Sequence, residues 1–188
     1  MFLSKVRLAG KRNPYDIHRE IWGLFPGMPD AERPFLYRVF WPRRGLPTEA
    51  LVQSDVSPVD SNSSSCSLMA KKEFDPKLRK GQVLRFALCA NPTKRLAEER
   101  KRVPLIHEDH QLAWLERKTE PFAELLEAQV AGGRVLNFMR HGVAGKIAAV
   151  DFTGVLQVGD PPGIGDALRN GIGPAKAFGC GLLSLARA

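Results

Sequence analysis

Cysteine is scarce in this 188-residue chain, and its three residues, Cys66, Cys89 and Cys180, lie far apart. That spacing excludes a C-x-x-C zinc pair and leaves no disulfide framework, so a reducing cytoplasm is the expected setting. No stretch approaches the roughly 20 apolar residues of a membrane span. The start, Met1-Phe-Leu-Ser-Lys-Val-Arg-Leu8, has no long apolar core and does not read as a signal peptide. Metal-ligand patterns are thin as well. His107-Glu-Asp-His110 sets two histidines three apart, but neither a third ligand nor H-E-x-x-H accompanies them. It reads better as the polar start of a helix. Nucleotide-cofactor signatures are incomplete. No Gly-Lys-Ser/Thr follows a glycine-rich run, and Lys176 stands where G-x-G-x-x-G needs its third glycine. The segment after Lys146 also lacks the glycine and paired aromatics of an RNP1 pattern. No cofactor and no metal are expected.

What the chain has in excess is positive charge. It carries 28 Lys and Arg against 20 Asp and Glu, a net charge of +8. A polyanionic partner, nucleic acid first, fits such a balance, although excess charge can also serve solubility alone. The apolar fraction, 44%, is that of a folded protein.

The tail is the most distinctive stretch: Gly171-Ile-Gly-Pro-Ala-Lys-Ala-Phe-Gly-Cys-Gly-Leu-Leu-Ser-Leu185. Glycines flank Lys176 on both sides and allow positive φ and close backbone approach. Two readings stand. One is an anion-binding loop with Gly171, Gly173, Lys176 and Gly179 facing a phosphate. The other is a tight turn before a last strand over residues 181–185.

Near the other end, Asn13 and Pro14 are an N-cap and first helical residue. Ile17, Ile21, Leu24 and Phe25 then form a helical core stripe. At about 100° per residue, Tyr15, His18 and Trp22 share one flank of it. His18 is either a packed histidine or a general acid/base, since imidazole titrates near neutrality. Tyr15 lies one turn earlier on the same flank, and Lys11, Arg12 and Arg19 are placed to hold phosphate or simply to face water. Trp22 reads as packing.

Between these ends the pattern predicts strands over residues 2–8, 35–41, 51–55, 82–90, 134–140 and 146–158, the last with a bulge at Gly154. Residues 57–67 read as a flexible serine-rich loop, and 71–80 as a basic stretch. Helical segments are expected on both sides of Pro121, the second stopped by Gly132-Gly133. A short helix is expected after Asp160. Lys94, Arg95, Arg100, Lys101 and Arg102 form a basic patch broken by Glu98 and Glu99.

Three stretches resemble one family. The tail, the helix Asn13-Pro-Tyr-Asp-Ile-His-Arg-Glu-Ile-Trp-Gly-Leu-Phe-Pro26, and the segment from Ala90-Asn-Pro-Thr-Lys94 to Arg102-Val-Pro-Leu105 are similar to CasE, the endoribonuclease subunit of type I-E CRISPR Cascade. The resemblance implies an α+β protein of tandem ferredoxin-like (RRM-like) β-α-β-β-α-β domains, divided here as residues 1–92 and 93–188. It implies that His18 is the catalytic acid/base and Tyr15 its partner, and that residues 94–102 form a basic RNA-binding hairpin. The implied substrate is the repeat hairpin of precursor CRISPR RNA. Cleavage falls at the 3′ base of that hairpin by metal-independent 2′-OH attack, leaving 2′,3′-cyclic phosphate and 5′-OH ends. The protein then stays with the mature guide RNA and other Cascade subunits, away from any membrane.

Two rivals stand beside this reading. A non-catalytic RNA-binding module would use the same basic surface, and a metal-dependent nuclease would centre on His107 and His110. On charge alone, hairpin RNA affinity should fall with salt, each neutralised phosphate adding about 0.7–0.9 to the negative slope of log K against log salt. Salt titration of binding to a stem-loop and to an unrelated DNA duplex checks this. Salt-independent binding, or equal affinity for the duplex, counts against it.

Overall fold

The structure, a computed structural model, describes residues 1–9, 13–28, 33–41, 47–60, 65–96, 101–140 and 142–188. Lys11, Arg12 and Arg100, read above as RNA contacts, lie outside the described residues.

Strand β1 (Phe2–Leu8) buries Ser4, Val6 and Leu8 and turns Lys5 and Arg7 outward. Helix α1 (Pro14–Trp22) begins as its punctuation requires. The Asn13 side chain accepts from the Tyr15 N–H at 3.2 Å, Pro14 follows, and Asp16 lies in the first turn. Ile17 and Ile21 are buried, and the chain leaves the helix at Gly23 with Leu24 and Phe25 still on the core. Strands β2 (Phe35–Phe40) and β3 (Thr48–Ser54) pair antiparallel, and β3 also pairs with β1.

Strand β4 (Cys66–Glu73) falls where a loop and a basic stretch were expected. Only Cys66 is buried in it, because β4 is an edge strand added to β1. An edge with one neighbour needs few apolar residues, so its sequence looks like a loop. The first sheet therefore has the order β2-β3-β1-β4.

Strand β5 (Val83–Ala90) belongs to the second sheet. It pairs with β9 (Val143–Val158) and with the tail strand β10 (Leu183–Arg187), and the order is β10-β5-β9-β8. The two sheets thus divide between residues 73 and 83. Strand β8 (Ala123–Arg140) replaces both the helix expected after Pro121 and the short strand at 134–140. Register shifts at Leu125/Glu127 and at Val130/Gly132 break the two-residue alternation of β8, so its apolar spacing imitates a helix. Gly132 and Gly133 lie inside the strand, opposite Asp151 and Val150.

Short strands β6 (Thr93–Arg95) and β7 (Arg102–Pro104) pair as a hairpin. Helix α2 (Glu108–Thr119) and helix α3 (Pro161–Asn170) complete the second unit, and the Asp160 side chain caps α3 by accepting from the Gly163 N–H. Each sheet repeats the ferredoxin-like order, its fourth strand beside its first, so the fold is tandem ferredoxin-like. Among the described residues the first unit shows no second helix.

Each unit has its own core. One gathers Val6, Ile17, Ile21, Tyr37 and Val52, and the other Leu88, Trp114, Leu115, Phe152 and Leu168. The units meet along β2. The Tyr37 hydroxyl donates to the Ala177 carbonyl at 2.6 Å, and the Gln53 amide donates to the Leu168 carbonyl. Asp151 of β9 pairs with Arg134 of β8 and, at 4.0 Å, with Arg38 of β2.

The bulge expected at Gly154 lies across from it on β8, and Gly154 answers that bulge. A Cβ at this position would overlap the Glu127 carbonyl and the Phe86 ring, whereas Gly132 has open space around it. Gly154→Ala should therefore destabilise by about 1–3 kcal/mol, as overpacking does. Gly132→Ala should have little effect. Thermal melts check this, at about 2–4 °C per kcal/mol for a chain of this size.

Candidate active site and nucleic-acid interface

The tail loop is built from left-handed backbone. Gly171, Gly173, Ala175, Gly179 and Gly181 have φ between 64° and 97°. A 3-10 turn, Lys176–Phe178, sits in the middle. The Ile172 N–H donates to the Gly181 carbonyl at 2.9 Å, which closes the loop. The Gly181 N–H donates to the Cys89 carbonyl at 2.7 Å, which fixes it to β5. The Gly171 N–H donates back to the Ala167 carbonyl of α3, and the Gly179 N–H to the Lys176 carbonyl within the loop. These glycines supply shape rather than donors. A Cβ at Gly171 would press on Leu36, and one at Gly179 on the Tyr37 ring. Pro174 has no N–H to give.

Helix α1 packs against this turn. The far end of the β8–β9 hairpin braces both: Asn13 donates to the Met139 carbonyl at 3.0 Å, and the Phe138 ring packs tilted against Phe178 with centroids 4.5 Å apart. The loop from the C-terminus and the helix from the N-terminus are thereby held side by side.

His18 faces three aromatic rings: Phe35 at 5.6 Å, Trp22 at 6.3 Å and Tyr37 at 6.4 Å. Its Nε2 is buried and has no hydrogen-bond partner. Burial, helped by the positive charge of Arg33, lowers its pKa to about 4. In the free protein the imidazole is therefore neutral at pH 7. Tyr15, His18, Arg19 and Trp22 line an open cavity of about 620 Å³ that continues along Gly23 to Met28. Tyr15 and His18 thus share one recess, as the helical spacing predicts. Arg19 is exposed and pairs with Asp16 at 3.3 Å.

A second recess, about 470 Å³, lies between the β6–β7 hairpin, α2 and the tail loop. Thr93, Arg95, Arg102, Trp114, Arg117, Lys118, Gly173 and Pro174 line it. It unites Arg95, Arg102 and Gly173, which the sequence placed on RNA, and adds Arg117 and Lys118, which it passed over. Their neighbours Glu116 and Glu120 hid them in a mixed-charge helix. Lys94 alternates with Thr93 and Arg95 and so faces away from the recess, while Lys101 is exposed just before β7. Partial burial lowers the Lys176 pKa, and the charge of nearby Arg33 adds to it. The tail loop therefore borders the second recess through Gly173 and Pro174 and packs on the helix that carries His18 through its 3-10 turn.

His107 and His110 sit at the exposed start of α2 with ring centroids 5.8 Å apart. Among the described residues no group of three or more metal-ligating side chains forms there or elsewhere. No helix of the structure is long and apolar enough to cross a membrane.

A family described as "CRISPR associated protein" matches residues 1–187. The Cascade subunit CasE of Escherichia coli strain K12 is 39% identical over 201 aligned residues, 99% of each chain. The chain belongs to the CasE family. The CRISPR-associated endoribonuclease Cse3 of Thermus thermophilus is also 39% identical, over 99% of this chain and 100% of its own. A solved structure of the endoribonuclease Cse3 bound to a 19-nucleotide RNA superposes with a TM-score of 0.88, at 37% identity, covering 99% of this chain and 100% of that one. In this CasE-family chain both motif-bearing ends meet at one place.

Gly173 combines φ of 80° with Trp114 only 2.8 Å from where a Cβ would stand. Gly173→Val should displace the loop from the basic recess and lower hairpin affinity by about tenfold or more, about 1.4 kcal/mol. His107→Ala should leave it within a few-fold. Binding measured on variants shown to be folded by circular dichroism checks this, and equal affinities would remove the tail from the RNA path.

Proposed function

We propose that this protein cleaves the repeat hairpin of precursor CRISPR RNA and then remains with the guide RNA in a Cascade complex. The single observation that carries this is the packing of α1, which bears Tyr15 and His18, against the Lys176 turn of a loop that borders a basic recess, in a chain that matches CasE and the endoribonuclease Cse3 along its whole length. The recess of Arg95, Arg102, Arg117 and Lys118 binds the backbone of the stem, with the Lys94 and Lys101 side of the hairpin contributing charge.

Cleavage needs no metal in this reading. The ribose 2′-oxygen bonds to the adjacent phosphorus and the bond to the 5′-oxygen breaks, giving a 2′,3′-cyclic phosphate and a 5′-hydroxyl. Neutral His18 accepts the 2′-OH proton, and the imidazolium so formed returns a proton to the departing 5′-oxygen, so none is consumed. Tyr15 orients the reacting group, and Lys176 stabilises charge on the phosphorane. The cytoplasm is the matching compartment, because the guide RNA is made there.

His18→Ala should keep hairpin affinity within a few-fold and slow cleavage by about 10²–10⁴. Tyr15→Phe should slow it less. The acid limb of the single-turnover rate should fall as pH drops toward about 4, where His18 gains its proton, and should vanish in His18→Ala. The measurement is single-turnover cleavage of the host's repeat hairpin in EDTA. Wild-type cleavage that stops in EDTA would point to a metal, and a folded His18→Ala protein cutting at the normal rate would exclude the mechanism. Binding without any product would favour the non-catalytic module.

A further inference from the structure

We propose that Arg33 is a catalytic residue of this site, a guanidinium that grips the phosphate on which His18 and Lys176 act. The inference rests on the RNA-cleaving reading above. Sequence patterning gives Arg33 no distinction, since it follows Asp30 and Glu32 and precedes Pro34 in what reads as a charged loop.

The structure sets it apart. Arg33 immediately precedes β2, the strand whose Phe35 and Tyr37 rings flank the His18 imidazole at 5.6 and 6.4 Å. It is partly buried, and its Nε is shut off from solvent with no hydrogen-bond partner. Among the described residues no carboxylate forms an ion pair with it. Its electrostatic neighbours are the functional groups themselves. Burial is the main cause of the lowered pKa of His18 and of Lys176, the Arg33 charge adds to both, and Tyr37 lies close enough to feel it too.

Two cations therefore lie at the elements that flank His18, Arg33 at the start of β2 and Lys176 in the turn packed on α1, and among the described residues neither has an ion-pairing acid. Burial of an unpaired charge beside a like charge opposes folding. A dianion between them would reverse that balance. The phosphorane formed during cleavage is such a group, with negative charge on its equatorial oxygens. A guanidinium fork can donate to two of those oxygens at once, whereas an ammonium acts as a point charge. Burial, with the Arg33 charge beside it, also keeps His18 unprotonated, as its role as proton acceptor requires.

The test uses full-length Arg33→Gln and Arg33→Lys proteins. Single-turnover cleavage of the host's repeat hairpin should fall by about 10²–10³ in Arg33→Gln, the usual loss of one oxyanion donor, and by less in Arg33→Lys. Affinity for a hairpin with 2′-deoxyribose at the scissile position should change only a few-fold. The wild type should bind a stem ending in 2′,3′-cyclic phosphate more tightly than one ending in 3′-hydroxyl, and Arg33→Gln should lose that preference. Its thermal midpoint should equal or exceed the wild-type value, since a strained charge has been removed. A wild-type cleavage rate in Arg33→Gln, an unchanged terminal-phosphate preference, or a lowered midpoint would overturn the proposal. If the wild type fails to cleave, the enzymatic reading falls instead, and the terminal-phosphate comparison still decides whether Arg33 holds phosphate.

Discussion

Tyr37 lies in the core of the first sheet, yet its hydroxyl reaches out to a carbonyl of the tail loop at 2.6 Å. That hydrogen bond, made at a buried edge strand, is the constraint on which the site depends. Burial raises the tyrosine pKa, so the group stays a neutral donor at physiological pH. Without it, the Ala177 carbonyl would lose a partner at the junction of the two units, at a typical penalty of about 1–3 kcal/mol. The same strand supplies Phe35 to His18, and Gly179 packs on the face of the Tyr37 ring. One strand therefore sets the distance between a helix and a loop from opposite ends of the chain.

The electrostatics of the site follow from what is missing around it. Acidic residues elsewhere in the fold are placed against cations: Glu49 beside Lys5 and Arg7, Asp151 beside Arg38 and Arg134. Around His18, Arg33 and Lys176 burial lowers each pKa, the Arg33 charge adds to the shift of the other two, and among the described residues no carboxylate contributes. A protein that tolerates this in the free state holds a pre-organised anion site, one that needs no rearrangement when charge develops. The basic recess beyond the loop has a different character. Its Arg95, Arg102, Arg117 and Lys118 side chains are largely exposed, so they favour long-range attraction of a backbone over chemistry.

Much of this was legible in the residues. The Asn13-Pro14 cap and the Ile17, Ile21 stripe define α1, and its periodicity alone sets Tyr15 and His18 on one flank. The glycines around Lys176 announce a loop with left-handed backbone. The hairpin of residues 93–104 was legible through family likeness more than through its own pattern. Strand β8 was not legible, because two bulges scramble its alternation. Strand β4 was hidden by an edge position that needs little apolar surface.

Local chemistry thus determined the elements that carry their own signals: caps, helical stripes and turn glycines act over a few residues. Tertiary structure alone decided which sheet β5 would join, which bulge Gly154 would face, and that Arg117 and Lys118 would share a recess with Gly173. It also decided that Arg33 would lie close to His18 with no ion-pairing acid among the described residues. The reason is that these outcomes depend on contacts between residues far apart in the chain, such as Gly181 to Cys89 and Tyr37 to Ala177. No short-range pattern encodes a partner that arrives only when two sheets pack.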